Sequence, residues 1–235
     1  MQSTLAGKSY SYLREKLTRG EFPAGTQLVN RALAQEIGVS LAPIREAINR
    51  LAEEGLVKQV PGAGAFVRDI SREDLEETYI VREAVEGCAA AEAARNIRVR
   101  EIEELEDICR RWLELARAIR RQPDKMATAE QASAWADMDE HFHAVLVAAS
   151  HNRLLEKIVR EGRLLSRIFK ATRNVPEVIA LRGAAWTWRE HVLMVRAIKN
   201  RDPDRARDLM VRSITRGRRS VMESLKREQD NTIRE

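Results

Sequence analysis

Along most of this chain the apolar positions recur at intervals of three and four, the period of a helix with one buried face. The first such run gathers Ala6, Tyr10, Leu13 and Leu17 on one side of a helix over 6–19. A second takes in Ala32, Leu33, Ala34 and Ile37 and stops at Gly38, where a left-handed residue can close a helix without a Cβ clash. Ser40 then stands where it can cap the next helix by accepting a backbone N–H. That helix buries Ile44, Ala47, Ile48 and Leu51, which leaves Ser40, Ala42, Arg45 and Arg50 for its other face. After it the period changes. Residues 57–60 and 65–68 read as strands joined by the turn Pro61-Gly62-Ala63-Gly64, with 26–28 as a short strand beside them. Two helices, a tight turn and a β-hairpin make a winged helix–turn–helix. Its second helix packs by one side and offers the other to the base edges and phosphates of duplex DNA.

From Arg72 onward the helical period returns, over 72–95, 100–121, 130–149, 153–172, 184–200 and 203–227. Pro123, Asn152 and Pro176 mark loops. Asp69-Ile70-Ser71 forms the joint, and Ser71 with Asp74 resembles a capping box in which Asp replaces the usual Glu or Gln. Asp202-Pro203 opens the last helix with a cap and a proline in the first turn. The fold class is therefore mainly α. A winged helix–turn–helix over 1–70 precedes an all-helical bundle over 71–228, and 229–235 is a polar tail.

Composition narrows the function classes. The chain has 235 residues, 44% hydrophobic and 33% charged, enough for two modest domains. No apolar run is long enough to span a bilayer and no signal-peptide pattern opens the chain, so no membrane partner is expected. Cys88 and Cys109, both in helical patterns, read as buried small side chains, consistent with a cytoplasmic protein. Net charge is +5, but residues 1–70 carry nine Lys/Arg against seven Asp/Glu. A DNA reader of so modest a charge depends on directed contacts, and its binding still weakens with salt.

The bundle carries its own candidate chemistry. Asp139 and His143 lie four apart on one helix, on a face shared with Trp135, Phe142 and Leu146. His191 lies on another inward stripe beside Trp188, Val192 and Val195. An acid and two imidazoles converging inside a bundle can hold a transition metal with positions left open for water or a ligand carboxylate, Zn²⁺ and Ni²⁺ being the natural candidates. The same three groups can instead satisfy one another as buried polar side chains. Arg82, on a face with Tyr79 and Glu86, has two readings as well. It is a fork for the carboxylate of a small effector, with Ser213 adding a hydrogen bond, or it is the ion-pair partner of Glu86. His141 and His151 fall off the inward stripe and read as surface residues, and the four tryptophans read as core or interface.

The run from Tyr12 to Val67 resembles the N-terminal domain of GntR-type bacterial transcription regulators. The matching residues are Gly20, Pro23-Ala24-Gly25, Leu28, Leu33-Ala34, Ile37-Gly38-Val39-Ser40, Pro43-Ile44-Arg45-Glu46-Ala47, Leu51, Glu54-Gly55-Leu56-Val57 and Gly62. The resemblance implies that Arg31, Ser40, Arg45 and the wing glycine Gly62 touch DNA. Leu41 departs from the arginine usual after the serine, which implies a different operator preference, since leucine grips neither guanine nor phosphate. Residues 72–222 resemble the FCD domain of the FadR-type branch. The match rests on Tyr79-x-x-Arg82-x-x-x-Glu86, Asp139-x-x-Phe142-His143, Asn152-x-x-Leu155, Glu190-His191 and Ala197-Ile198. Metal-binding members use the positions of Asp139, His143 and His191. They carry a further histidine where Ser213 stands here, which implies weaker metal binding in this chain.

Together these readings describe a homodimeric, ligand-responsive repressor that binds a two-fold DNA operator and senses a small organic acid. Two rivals accompany it: a DNA-binding protein whose bundle only dimerises, and a metal-dependent hydrolase or lyase. The second lacks an HExxH or serine-nucleophile motif and leaves the winged helix unexplained.

Overall fold

Three helices open the chain: α1 (Leu5–Thr18), α2 (Asn30–Ile37) and α3 (Leu41–Glu53). Strands β1 (Val57–Val60) and β2 (Gly64–Val67) follow in the computed structural model, which describes residues 4–172 and 179–232. Pro176, expected to mark a loop, lies outside the described residues. The rest is helical: α4 (Arg72–Asn96), α5 (Val99–Arg121), α6 (Ala129–Ala148), α7 (Arg153–Thr172), α8 (Leu181–Lys199) and α9 (Pro203–Thr232). The chain is mainly α with one two-stranded sheet, as the period predicts, and it divides into two compact units. The first runs to Thr78 and takes in the second half of α7 from Arg163. The second comprises Tyr79–Gly162 and the chain from α8 onward.

In the first unit α1 packs against α3, burying Tyr10, Leu13 and Leu17 on Ile44, Ala47, Ile48 and Leu51. Ala6, expected in this stripe, is half-buried, and Ser9 is fully buried with its hydroxyl donating to the Leu5 carbonyl at 2.9 Å. The stripe of α2 is narrower than its spacing suggests: Leu33 and Ala34 are buried, Ile37 is half-buried and Ala32 is exposed. An eight-residue helix has room for little more than one turn of contact. Gly38 ends it at φ +75°, ψ +37°, and its N–H bonds to the Ala34 carbonyl. The wing pairs Val57 with Val67 and Val60 with Gly64, antiparallel. The 26–28 segment joins it as a single bridge, Gln27 to Phe66, with Leu28 N–H donating to Ala65 at 2.8 Å. Ser71 and Asp74 bond reciprocally at the start of α4: the Asp74 N–H reaches the Ser71 hydroxyl, and the Asp74 carboxylate accepts the Ser71 N–H, each at 2.9 Å. That backbone bond is the main cause holding the Asp74 carboxyl below its ordinary range.

In the second unit α5 packs against α6 and α8, and α8 against α9. Gly87 lets α4 and α9 come close, since a Cβ there would stand 2.9 Å from Val211 Cγ2. Arg201 turns back at φ +56° and donates to the carbonyls of Ala94, Arg95 and Ile97 at 2.8–3.2 Å. It thereby satisfies the C-terminal carbonyls of α4 and places a cation at the negative end of that helix. A short link between Met126 and Ala180 ties the α5–α6 loop to the start of α8. This link starts α8 at Leu181, three residues before the sequence reading. Helix α9 continues through Thr232, into the stretch read as a polar tail. Among the described residues no helix is long and apolar enough to cross a membrane.

Candidate functional site

The outer face of the helix–turn–helix is an open concavity of about 840 Å³ lined by Arg31, Ala34, Val39, Ser40, Leu41, Ala42 and Arg45. Arg31, Ser40, Ala42 and Arg45 are exposed, so two guanidinium groups and a hydroxyl share one hollow at the start of α3. Ser40 occupies the N-cap position with extended backbone, yet its hydroxyl makes no capping bond. The residue three on is Pro43, which has no N–H to donate. The sequence reading expected a capped helix; the proline removes one of the two N–H groups such a cap uses, the Ala42 N–H is not taken up either, and the hydroxyl stays at the rim of the hollow.

Gly62 sits in the wing turn at φ +76°, with open space where a Cβ would stand. Arg50 is set apart from the hollow. Five residues beyond Arg45 it lies about 140° further around α3. Its guanidinium carbon stands 3.7 Å from the Tyr10 ring centroid, and its Nε lies 3.3 Å from Glu54 Oε1. The Tyr10 hydroxyl also donates to the Glu54 carboxylate, at 2.8 Å to Oε2. Burial first, then that carboxylate, raises the Tyr10 phenol above its usual pKa. Arg50 thus braces α1 against α3.

Inside the second unit α6 and α8 bring Asp139, His143 and His191 together, one donor atom of each lying within 4.8 Å of the others. Asp139 Oδ1 stands 3.8 Å from Nε2 of both histidines. Donors around one tetrahedral ion at ordinary bond lengths are about 3.4 Å apart, so each Asp139–histidine separation is a few tenths of an ångström longer than an ion between them would set. The outer nitrogens support the same use. His191 Nδ1 lies 2.7 Å from the Thr187 carbonyl, which can only accept, so Nδ1 carries the proton and Nε2 presents its lone pair inward. His143 Nδ1 lies 3.3 Å from Glu86 Oε2. A metal-ligating histidine usually has its second nitrogen held by an oxygen; His191 has that hydrogen bond, and His143 has a carboxylate oxygen close by without one. Both rings are buried, while the Asp139 side chain is 36% exposed and forms the open side of the cluster.

Arg82 is buried and pairs with Glu86 one turn on, Nε to Oε1 at 2.7 Å, with the Tyr79 ring 4.9 Å away. The ion-pair alternative for Arg82 is therefore realised. Ser213 is half-buried on α9 between Arg212, which pairs with the buried Glu190, and the buried Ile214. His141 is exposed against Glu104, and His151 stands 3.6 Å from Glu101, both off the inward stripe. Two partners of the cluster escaped the sequence reading. Trp112 of α5 lies tilted against the His191 ring, 4.5 Å between centroids, and Glu86 approaches His143 from α4. Helical spacing reports neighbours along one helix and carries no signal for contacts between helices.

Residues 5–67 match the bacterial regulatory proteins of the gntR family, and residues 77–216 match the FCD domain. An uncharacterized HTH-type transcriptional regulator of Agrobacterium vitis is 32% identical over 146 residues, 60% of this chain and 78% of that protein. A probable D-xylose utilization operon transcriptional repressor of Paenarthrobacter nicotinovorans is 32% identical over 95 residues, 40% of this chain and 42% of its own length. The solved structure of Escherichia coli McbR/YncC superposes with a TM-score of 0.74, covering 95% of this chain and 100% of that one at 20% identity, a likeness of fold. The chain belongs to the GntR family of transcriptional regulators, with a helix–turn–helix followed by an FCD domain.

Proposed function

We propose that this regulator reads its operator through the hollow at the start of α3 and responds to a small carboxylate held in the bundle. The hollow itself carries the reading: Arg31, Ser40, Ala42 and Arg45 open together onto solvent, on the face of α3 opposite its packed side. Arg45 reaches a base edge or phosphate, Arg31 a phosphate, the Ser40 hydroxyl a backbone oxygen, and the Gly62 turn the adjacent groove. Residues 1–70 act as the DNA-binding part and 71–228 as the effector-binding and dimerising part. As a homodimer the protein sets two such faces on a two-fold operator in the cytoplasm.

In the bundle, Asp139, His143 and His191 hold Zn²⁺ or Ni²⁺. Such an ion supplies a Lewis-acidic centre with positions free for the oxygens of an organic acid. Arg82 and Ser213 complete the effector site, Arg82 turning from its Glu86 partner to the effector carboxylate when the effector binds. Effector binding relieves repression if it favours the arrangement that does not fit the operator. The word repressor in the name of the Paenarthrobacter relative supports that sign.

Fluorescence anisotropy on a duplex selected from random sequence tests the central reading. Arg45→Ala is expected to weaken specific binding by about 1–3 kcal/mol and to leave the melting temperature unchanged. Equal affinity in the variant overturns the assignment of this face.

A further inference from the structure

We propose that Glu86 is a positioning residue for the Asp139–His143–His191 cluster, a buried carboxylate that sets how His143 presents its inner nitrogen. The inference rests on reading that cluster as a metal site. Glu86 has no exposed side-chain surface. Keeping a carboxylate there requires compensation, and Arg82 Nε supplies it at 2.7 Å to Oε1. Its other oxygen, Oε2, lies 3.3 Å from His143 Nδ1. Glu86 therefore stands between a cation and an imidazole.

The two histidines are held in different ways. His191 is anchored by a backbone carbonyl of its own helix, which side-chain chemistry does not alter. His143 depends on a side chain from another helix, and at this distance and angle its Nδ1 makes no hydrogen bond. A small rotation of the ring or of the carboxylate makes or loses that bond. When Glu86 takes the Nδ1 proton in a hydrogen bond, Nε2 is left as the lone-pair donor, turned toward Asp139 Oδ1. Arg82 restrains Glu86 in turn. Gly162 lets α7 press on the Arg82 stem, since a Cβ there would stand 3.2 Å from Arg82 Cγ. The chain Arg82, Glu86, His143 thus ties an anion-attracting side chain to one ligand of the cluster.

The test is metal affinity of the full-length protein, measured by chelator competition with Zn²⁺ and Ni²⁺, alongside the absorption spectrum of the Co²⁺-loaded form. Glu86→Gln keeps the shape and removes the charge. Its affinity is expected to fall 10–100-fold and its Co²⁺ spectrum to change, with a lower melting temperature in chelator because the buried Arg82 loses its partner charge. The double variant Arg82→Gln/Glu86→Gln removes both charges of that pair and serves if the single variant does not fold; the same loss of affinity is expected. Wild-type affinity and an unchanged spectrum in either folded variant overturn the positioning role alone. Wild-type protein that takes up neither metal overturns the reading of the cluster itself, and this inference with it.

Discussion

The hollow at the start of α3 and the histidine cluster of the bundle use similar side chains under opposite conditions. Arg45 and Arg31 lie in solvent, and the Ser40 hydroxyl makes no capping bond, Pro43 lacking one of the two N–H groups such a cap can use. In the bundle, His143 and His191 are buried, and each has an oxygen from outside the cluster near its outer nitrogen. The first surface is suited to a large, charged, wet partner, which brings its own oxygens to waiting donors. The second buries both imidazoles, fixes the outer proton of one of them, and opens only at Asp139, as a small ligand or an ion demands.

The contrast can be broken most sharply in the bundle. His143→Ala is expected to abolish Zn²⁺ and Ni²⁺ uptake, read by elemental analysis after dialysis, while DNA binding without effector stays at the wild-type level. Metal retained by that variant would move the site elsewhere. At the other surface, Arg50→Ala separates bracing from reading. Loss of its stacking on Tyr10 and its pairing with Glu54 is expected to lower stability by about 1 kcal/mol in a denaturant titration. Its effect on operator affinity should be smaller than that of Arg45→Ala; an equal effect would return Arg50 to the DNA-reading set.

Ser40→Ala is a finer instrument. Losing a serine N-cap usually costs about 1 kcal/mol, but here the hydroxyl caps nothing, so a change in stability under about 0.5 kcal/mol is expected together with weaker DNA binding. A full capping penalty would show that Ser40 holds α3 after all. The smallest effect concerns pH. Asp74 is held below its ordinary pKa by the Ser71 N–H, so its contribution is present above the unfolded carboxylate range near pH 4 and is lost as pH falls through the lower folded value. Asp74→Asn is expected to flatten the acid limb of the stability curve slightly, and an unchanged limb would remove Asp74 as a contributor.

The two surfaces were not equally legible. The hollow is built from residues 31–45, close in sequence, so periodicity, a glycine stop and a short turn were enough to outline it. Only the consequence of Pro43 was overlooked, and with it the true state of Ser40. Spacing also placed Arg50 loosely, since it could not show that Tyr10 and Glu54 draw the side chain aside. In the bundle, the stripes of α6 and α8 named Asp139, His143 and His191 as inward groups. Glu86 and Trp112 complete their surroundings from α4 and α5, by contacts between residues more than fifty positions apart. The early start of α8 has the same origin, a bridge between Met126 and Ala180 that no local pattern encodes.

Trp112 gives the cluster a property of practical use. Its indole lies tilted 4.5 Å from the His191 ring, with Trp135 5.8 Å from the indole. A paramagnetic ion resting on that imidazole would lie within a few ångströms of two natural fluorophores. Its arrival could then be followed as quenched ultraviolet emission, in the unlabelled protein and in real time.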